Sequence, residues 1–123
     1  MPADMSETDN VRRLKLNLKL WKVFHVVVAT GSFAKAADIL HITQPAVSYA
    51  ISQLEESIGI TLLRVEGRRS KLTESGKILL ERSRGVLREA LELEQFAATL
   101  RANAQPDLAP LLETSNKQAI SEM

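Results

Sequence analysis

The chain has 123 residues, of which 45% are hydrophobic, and it contains no cysteine. This length can bury one modest core with an extension, and the lack of cysteine excludes disulfides and thiolate metal sites. The longest apolar run, residues 26–29, is too short to cross a bilayer, and the polar residues 1–10 do not resemble a secretory signal. We therefore expect a cytoplasmic protein.

The formal net charge of +1 hides a segregation of charge along the sequence. Residues 11–88 contain fourteen of the sixteen Lys and Arg and carry a net charge of +8, whereas residues 1–10 and 89–123 are acidic. An ordinary solvated surface intersperses both signs, so this pattern favours a polyanion as the partner.

The first elements of secondary structure are predicted from the spacing of apolar residues and from helix-capping residues. Residues 1–13 are polar and aperiodic, which predicts a flexible extension over residues 1–15. Apolar residues at helical spacing then predict a helix over residues 17–30, ended by Gly31 and followed by Ser32 as the cap of the next helix. The residues predicted to face the core from this helix are Leu20, Val23, Phe24, Val27 and Val28.

Residues 31–59 predict two short helices joined by a tight turn at residues 41–43. Thr43 is placed to cap the second helix, and Pro45 falls in its first turn, where a missing N–H group costs nothing. The apolar face of the first helix consists of Phe33, Ala36, Ala37 and Leu40, and that of the second consists of Val47, Ala50, Ile51, Leu54 and Ile58.

The solvent face of the second helix carries neutral hydrogen-bonding side chains instead of the usual mixture of Lys and Glu. They are Gln44, Ser48, Tyr49, Ser52 and Gln53. Such a helix, framed by cations elsewhere, suits the floor of a DNA major groove. The two helices are therefore a helix-turn-helix candidate.

Short apolar segments on either side of residues 67–69 predict a β-hairpin after Gly59. A hairpin directly after a helix-turn-helix is called a wing.

With these residues in place, residues 20–76 resemble the N-terminal winged helix-turn-helix of LysR-type transcriptional regulators. The matching residues are Phe24, Gly31, Ser32, Phe33, Ala36, Ala37, Leu40, residues 44–48, Leu54, Glu55, Gly59, Leu62, Arg68 and residues 72–76. The resemblance implies a mainly α fold of three helices and a short β-hairpin wing, followed by a long dimerisation helix. It also implies a bacterial transcription factor that binds double-stranded DNA as a dimer, with the second helix of the motif in the major groove.

The resemblance also implies roles for single residues. Gln44 can read an adenine edge, and Pro45 and Ala46 can pack against a thymine methyl group. Ser32 and the helix that follows it hold a phosphate, or Ser32 serves only as a helix cap. Phe33 is expected in the core. The full set of expected DNA-binding residues is Ser32, Gln44, Pro45, Ala46, Ser48, Tyr49, Ser52, Gln53, Arg64, Arg68 and Arg69.

Two residues depart from the family pattern. Tyr49 stands where the family commonly has an Arg, which replaces a cation with a ring and a hydroxyl group. Val65 lies at the base of the wing where an Arg is usual, and Arg64 cannot substitute for it because neighbouring strand residues point to opposite faces. Arg68 and Arg69 remain on the wing, beside the DNA backbone or the minor groove.

Residues 74–103 contain no proline, which predicts a helix of roughly 42 Å. Its heptad positions alternate between large residues and the small residues Gly76, Ser83, Ala90 and Ala97, a seam that suits a tightly packed helix pair. The residues predicted in the dimer interface are Leu79, Ser83, Val86, Ala90, Leu93, Ala97 and Leu100. A second stripe of Leu80, Leu87 and Leu91 is predicted to face the parent domain. The alternative to a dimer is a single amphipathic helix folded over its own core. That arrangement needs only one stripe, so two stripes favour the dimer.

The predicted organisation is an extension (1–15), a winged helix-turn-helix (16–73), a linker helix (74–103) and a tail (104–123). Family members continue with an effector-binding domain for which these 123 residues leave no room. The chain is then either an excised DNA-binding fragment or a natural protein without a sensor, and no small-molecule effector is expected to bind it.

Enzyme motifs are not found in the sequence. The two histidines, His25 and His41, have no partners at metal-ligand spacing, and no phosphate-binding loop or nucleophile elbow occurs. We expect no catalytic residue, cofactor or metal.

Two hypotheses for the function follow from the sequence. The first hypothesis is a DNA-binding homodimer or higher oligomer, and the alternative is a helical interaction module with vestigial DNA binding. The charge of +8 and the intact residues 44–48 favour the first hypothesis.

Overall fold

The computed structural model describes residues 2–67 and 69–104. The helices and strands are α1 (Pro2–Arg13), α2 (Leu18–Thr30), α3 (Phe33–Leu40), α4 (Gln44–Ile58), β1 (Leu63–Glu66), β2 (Arg69–Leu72) and α5 (Glu74–Ala102). They confirm the predicted fold of three helices with a hairpin wing, followed by a long helix. The chain divides into two compact units, Met1–Ser83 and Arg84–Met123. In the described part of the chain, no helix is both long enough and apolar enough to cross a membrane.

Helix α1 occupies the segment for which no regular structure was predicted. Asp9 forms ion pairs with Arg12, three residues later, and with Arg13, four residues later, the latter at 3.3 Å. Pairs at these spacings stabilise an exposed helix without an apolar face. This helix was not predicted from the sequence, because only the spacing of apolar residues was considered, and the flexibility of the extension stays a prediction.

Helices α2, α3 and α4 pack on one another, and their predicted caps are confirmed. Gly31 ends α2 in a left-handed conformation, with a φ of 73°. Ser32 Oγ accepts a hydrogen bond from the N–H of Lys35 at 3.2 Å, and Thr43 Oγ1 accepts one from the N–H of Ala46 at 3.2 Å. Each hydroxyl group thereby satisfies a donor that the first helical turn leaves free.

The core lies between these three helices, and the centres of the predicted apolar faces are confirmed. Trp21 is a buried residue that was not predicted there, and its ring meets Phe24 edge-on at a centroid distance of 6.0 Å. Phe33, expected in the core, is only half-buried. The other buried residues of α2, α3 and α4 are Val23, Val27, Ala36, Ala37, Val47, Ala50, Ile51 and Leu54, and the half-buried residues at the margin are Leu20, Val28, Leu40 and Ile58.

The wing is the antiparallel pair of β1 and β2, in which Arg64 lies opposite Lys71 and Val65 opposite Ser70. Its base is held by Glu55 of α4. One carboxylate oxygen of Glu55 accepts hydrogen bonds from the backbone N–H groups of Leu62 at 2.8 Å and Leu63 at 3.1 Å. The carboxylate thus fixes the position at which the chain leaves α4 and enters the wing.

Helix α5 begins against the base of the wing. Thr73 donates its hydroxyl to the carbonyl oxygen of Thr61 at 2.7 Å, and the same hydroxyl oxygen accepts the N–H of Gly76 at 2.9 Å. Gly76 is buried, and a Cβ built on it would overlap the carbonyl oxygen of Leu62. The prediction that Gly76 faces a partner helix is therefore wrong, since its small size serves a close approach inside the domain.

The rest of α5 falls into two parts. Leu80 is buried, as predicted for the stripe that faces the domain, and Ser83 Oγ lies 2.7 Å from Nε2 of His25 on α2. The seam pattern did not anticipate this contact of Ser83. From residue 84 to residue 104 no side chain is buried, and Leu91, assigned to the same stripe as Leu80, is 53% exposed.

Candidate nucleic-acid interface

The first three turns of α4 present a neutral surface to solvent. Gln44, Pro45, Ser48 and Ser52 are exposed, and Tyr49 is 67% exposed. Ala46 and Gln53, also predicted to bind DNA, are half-buried. The exposed residues lie opposite the buried face of α4, so burial of that face in the core directs them outward.

Two adjoining clefts separate the wing from the helices. The wing cleft, of about 500 Å³, is lined by Thr30, Gly31, Ser32, Lys35, Arg69, Ser70 and Lys71. The helix cleft, of about 560 Å³, is lined by Ser32, Phe33, Ala34, Gln44, Ser48, Val65, Gly67, Arg69 and Ser70. The clefts share Ser32, Arg69 and Ser70, so they form one continuous surface from α3 across the wing to α4.

Positive charge concentrates in the wing cleft. Lys35, Arg69 and Lys71 line it from two different elements, α3 and β2. The Ser70 Oγ is buried and makes no hydrogen bond within the described residues. The N-terminus of α3, whose free N–H groups carry a partial positive charge, opens beside these side chains. Together these groups can hold an anion such as a backbone phosphate.

The structure brings Ser32, Gln44, Ser48 and Arg69 together along the two clefts. Arg64 is exposed but lines neither cleft, whereas Val65, at the departure from the family pattern, is 64% exposed and lines the helix cleft. Arg68 lies outside the described residues. Tyr49 and Ser52 are exposed on α4 outside both clefts.

Lys35, Ser70 and Lys71 were not among the predicted site residues. The sequence does not single them out, because in a basic segment Lys35 and Lys71 resemble any other surface lysine. The predicted hairpin implied that Lys71 lies on the wing. The closeness of Lys35 to β2, however, depends on the packing of α2 against both α3 and β2. Only the tertiary structure therefore identifies the wing cleft.

The fold matches solved DNA-binding domains. The DNA-binding domain of CbnR, solved as a complex with DNA, is 31% identical to this chain and superposes with a TM-score of 0.63. The match covers 73% of this chain and 100% of the CbnR domain. This chain belongs to the LysR family. The model of the family, described as bacterial regulatory helix-turn-helix protein, lysR family, matches residues 18–77. These residues are the helix-turn-helix DNA-binding domain of this chain.

Other members of the LysR family give the same result. The BenM DNA-binding domain, solved with catB site 1 DNA, is 31% identical, with a TM-score of 0.65 and coverage of 74% of this chain and 98% of that one. The transcriptional activator CmpR of a Synechocystis species is 33% identical over 86% of this chain and 35% of its own length. The RuBisCO operon regulator of Allochromatium vinosum is 33% identical over 77% of this chain. The chain thus spans about a third of the length of these curated LysR-family relatives.

Proposed function

We propose that this chain is the DNA-binding part of a transcriptional regulator and binds specific sites on the bacterial chromosome, in the cytoplasm. In this proposal residues 16–73 form the DNA-binding domain and α4 enters the major groove. The observation that carries the proposal is the continuous surface formed by the two clefts. It joins the neutral side chains of α4 to the cations of the wing.

The two halves of that surface have different chemical roles in the proposal. Gln44 and Ser48 offer neutral donors and acceptors to base edges, where the hydrogen-bonding pattern specifies the sequence. Lys35, Arg69 and Lys71 neutralise phosphates, as does the N-terminus of α3, and these contacts position the protein without reading bases. Ser32 caps α3 through its side chain, so we assign it a phosphate contact only through its neighbouring backbone.

We further propose that the chain acts as a homodimer, or within a higher oligomer, through residues 74–103. Val86 and Leu93 are 44% and 68% exposed on α5, and exposed apolar side chains at heptad spacing are typical of a helix that pairs with another. The proposed interface also includes Leu79, Ala90, Ala97 and Leu100, whereas Ser83, predicted there too, contacts His25 within its own unit. A two-fold dimer binds two half-sites related by the same symmetry.

The test is a comparison of selected and random DNA. Duplexes are selected from a random pool with the whole chain, and affinity is measured at several salt concentrations. Gln44→Ala and Ser48→Ala should each weaken binding to the selected duplex by roughly 1–3 kcal/mol and leave binding to random DNA nearly unchanged. Equal losses on both duplexes would contradict the assignment of these residues to the base edges.

The matching test for the wing is Arg69→Ala. It should lower affinity for both duplexes and flatten the salt dependence by about one unit, because one phosphate contact is lost. Arg101→Ala, which removes the same charge near the end of α5, is the control and should change neither quantity. A chain that selects no DNA sequence and dimerises normally would instead support the alternative, an interaction module with vestigial DNA binding.

A further inference from the structure

Helix α4 contains no Lys and no Arg along its whole length, Gln44–Ile58. Arg or Lys donating to O6 and N7 is the commonest way in which a protein specifies guanine in the major groove. The cations that line the clefts, Lys35, Arg69 and Lys71, lie on α3 and β2. A helix with this composition lacks the usual means of specifying guanine, so its exposed residues are available to recognise another base.

Two exposed residues of α4 add apolar surface beside the hydroxyl group of Ser52. Pro45 is exposed, and Tyr49, four residues and hence about one turn later, is 67% exposed. The helix cleft is lined by Gln44 and Ser48 but by neither Pro45 nor Tyr49. The polar edge of α4 therefore faces the wing, and a strip formed by Pro45 and Tyr49 lies beside that edge.

An exposed aromatic ring on a groove-binding helix can meet one apolar group that base pairs present in the major groove, the C5 methyl group of thymine. No other base edge there carries a methyl group, and its burial favours binding in the same way as any apolar surface. The tyrosine ring offers a flat apolar face with a hydroxyl group at its rim. These properties fit thymine better than guanine or cytosine.

We infer that Tyr49 is a specificity-determining residue that recognises the methyl group of a thymine through its ring. This inference rests on the proposed function, since it requires α4 to lie in the major groove. Pro45 extends the same apolar strip by one turn toward the N-terminus of α4. The hydroxyl group of Tyr49 remains at the rim of the contact and is not required for it.

The experiment replaces each thymine of the selected duplex in turn with deoxyuridine, which removes only the methyl group. Burial of one such group is worth about a fourfold change in affinity. The unmodified chain should lose about fourfold at the thymine that Tyr49 contacts in each half-site, apart from any thymine that Pro45 or Ala46 contacts. Tyr49→Phe should keep this loss, Tyr49→Ala should abolish it, and Tyr49→Arg should shift the preferred base at that position to guanine.

Ile39→Ala is the control, because Ile39 is an apolar residue of α3 that is 59% exposed and lines neither cleft. It should discriminate thymine from uracil as the unmodified chain does. If Tyr49→Ala kept the preference for thymine over uracil at every position, or if Tyr49→Phe lost it at any position, the inference would be overturned and the proposed function left intact. A chain that prefers no duplex sequence at all would overturn the proposed function itself.

Discussion

The two compact units of this chain differ in where their apolar side chains find contacts. In Met1–Ser83 the buried apolar residues of three helices and the wing meet one another, and Phe24, Val27 and Leu62 are 0% exposed. In residues 84–104 no side chain is buried, although this part of α5 contains several leucines and a phenylalanine. The first unit completes its core within one chain, and the second presents an apolar surface that a partner can cover.

The difference shows that one helix can serve two purposes. The first turns of α5 are fixed by Thr73, Gly76 and Leu80, which contact the wing base or the core. Beyond Ser83 the same helix continues with the same apolar spacing but without buried residues. Small residues at equal spacing therefore have different roles, and the predictions below test that division.

The largest effect is expected for Gly76→Ala. The added Cβ would overlap the carbonyl oxygen of Leu62, and a backbone atom cannot move aside as a flexible side chain can. We expect a loss of roughly 3 kcal/mol in the free energy of unfolding, measured by urea denaturation.

Gly85→Ala is the matched control in the same helix. The nearest atom to a Cβ there belongs to the flexible side chain of Arg88, at 3.8 Å. Because alanine is the better helix former, this change should raise stability by up to about 1 kcal/mol. Equal effects of the two substitutions would contradict the close approach at Gly76.

An intermediate effect is expected for Glu55→Ala. This change leaves the N–H groups of Leu62 and Leu63 without their acceptor in a partly buried place. The free energy of unfolding should fall by about 2 kcal/mol. Glu56→Ala, which removes an exposed neighbouring carboxylate, is the control and should have little effect. If Glu56→Ala lowered the free energy of unfolding as much as Glu55→Ala, the negative charge on α4, and not the hydrogen bonds to the wing, would explain the effect.

The smallest of the three effects is expected for Ala90→Leu in the second unit. If Ala90 packs against a partner helix, a leucine must push the two backbones apart although it is the more hydrophobic residue. The dissociation constant of the dimer should rise about tenfold, measured by sedimentation equilibrium. Glu92→Leu, on another face of α5, should not weaken the dimer. Unchanged dimerisation of Ala90→Leu would show that the seam does not lie there.

Much of the first unit was predictable from local patterns. The caps Ser32 and Thr43 and the glycine at the end of α2 depend only on neighbouring residues, which is why the bounds of these helices are predicted well. The apolar period also identified the core faces. It failed at α1, because the pairs of Asp9 with Arg12 and Arg13 stabilise a helix that has no apolar period.

The sequence by itself determined the type and order of the elements after Arg13 and the neutral face of α4, because caps, periodicity and composition act over a few residues. The tertiary structure alone decided which neighbour each face meets. Gly76 and Ser83 have the spacing of a dimer seam, yet they contact Leu62 and His25. Heptad spacing places residues on one side of a helix, but the surface that covers that side comes from residues distant in the chain.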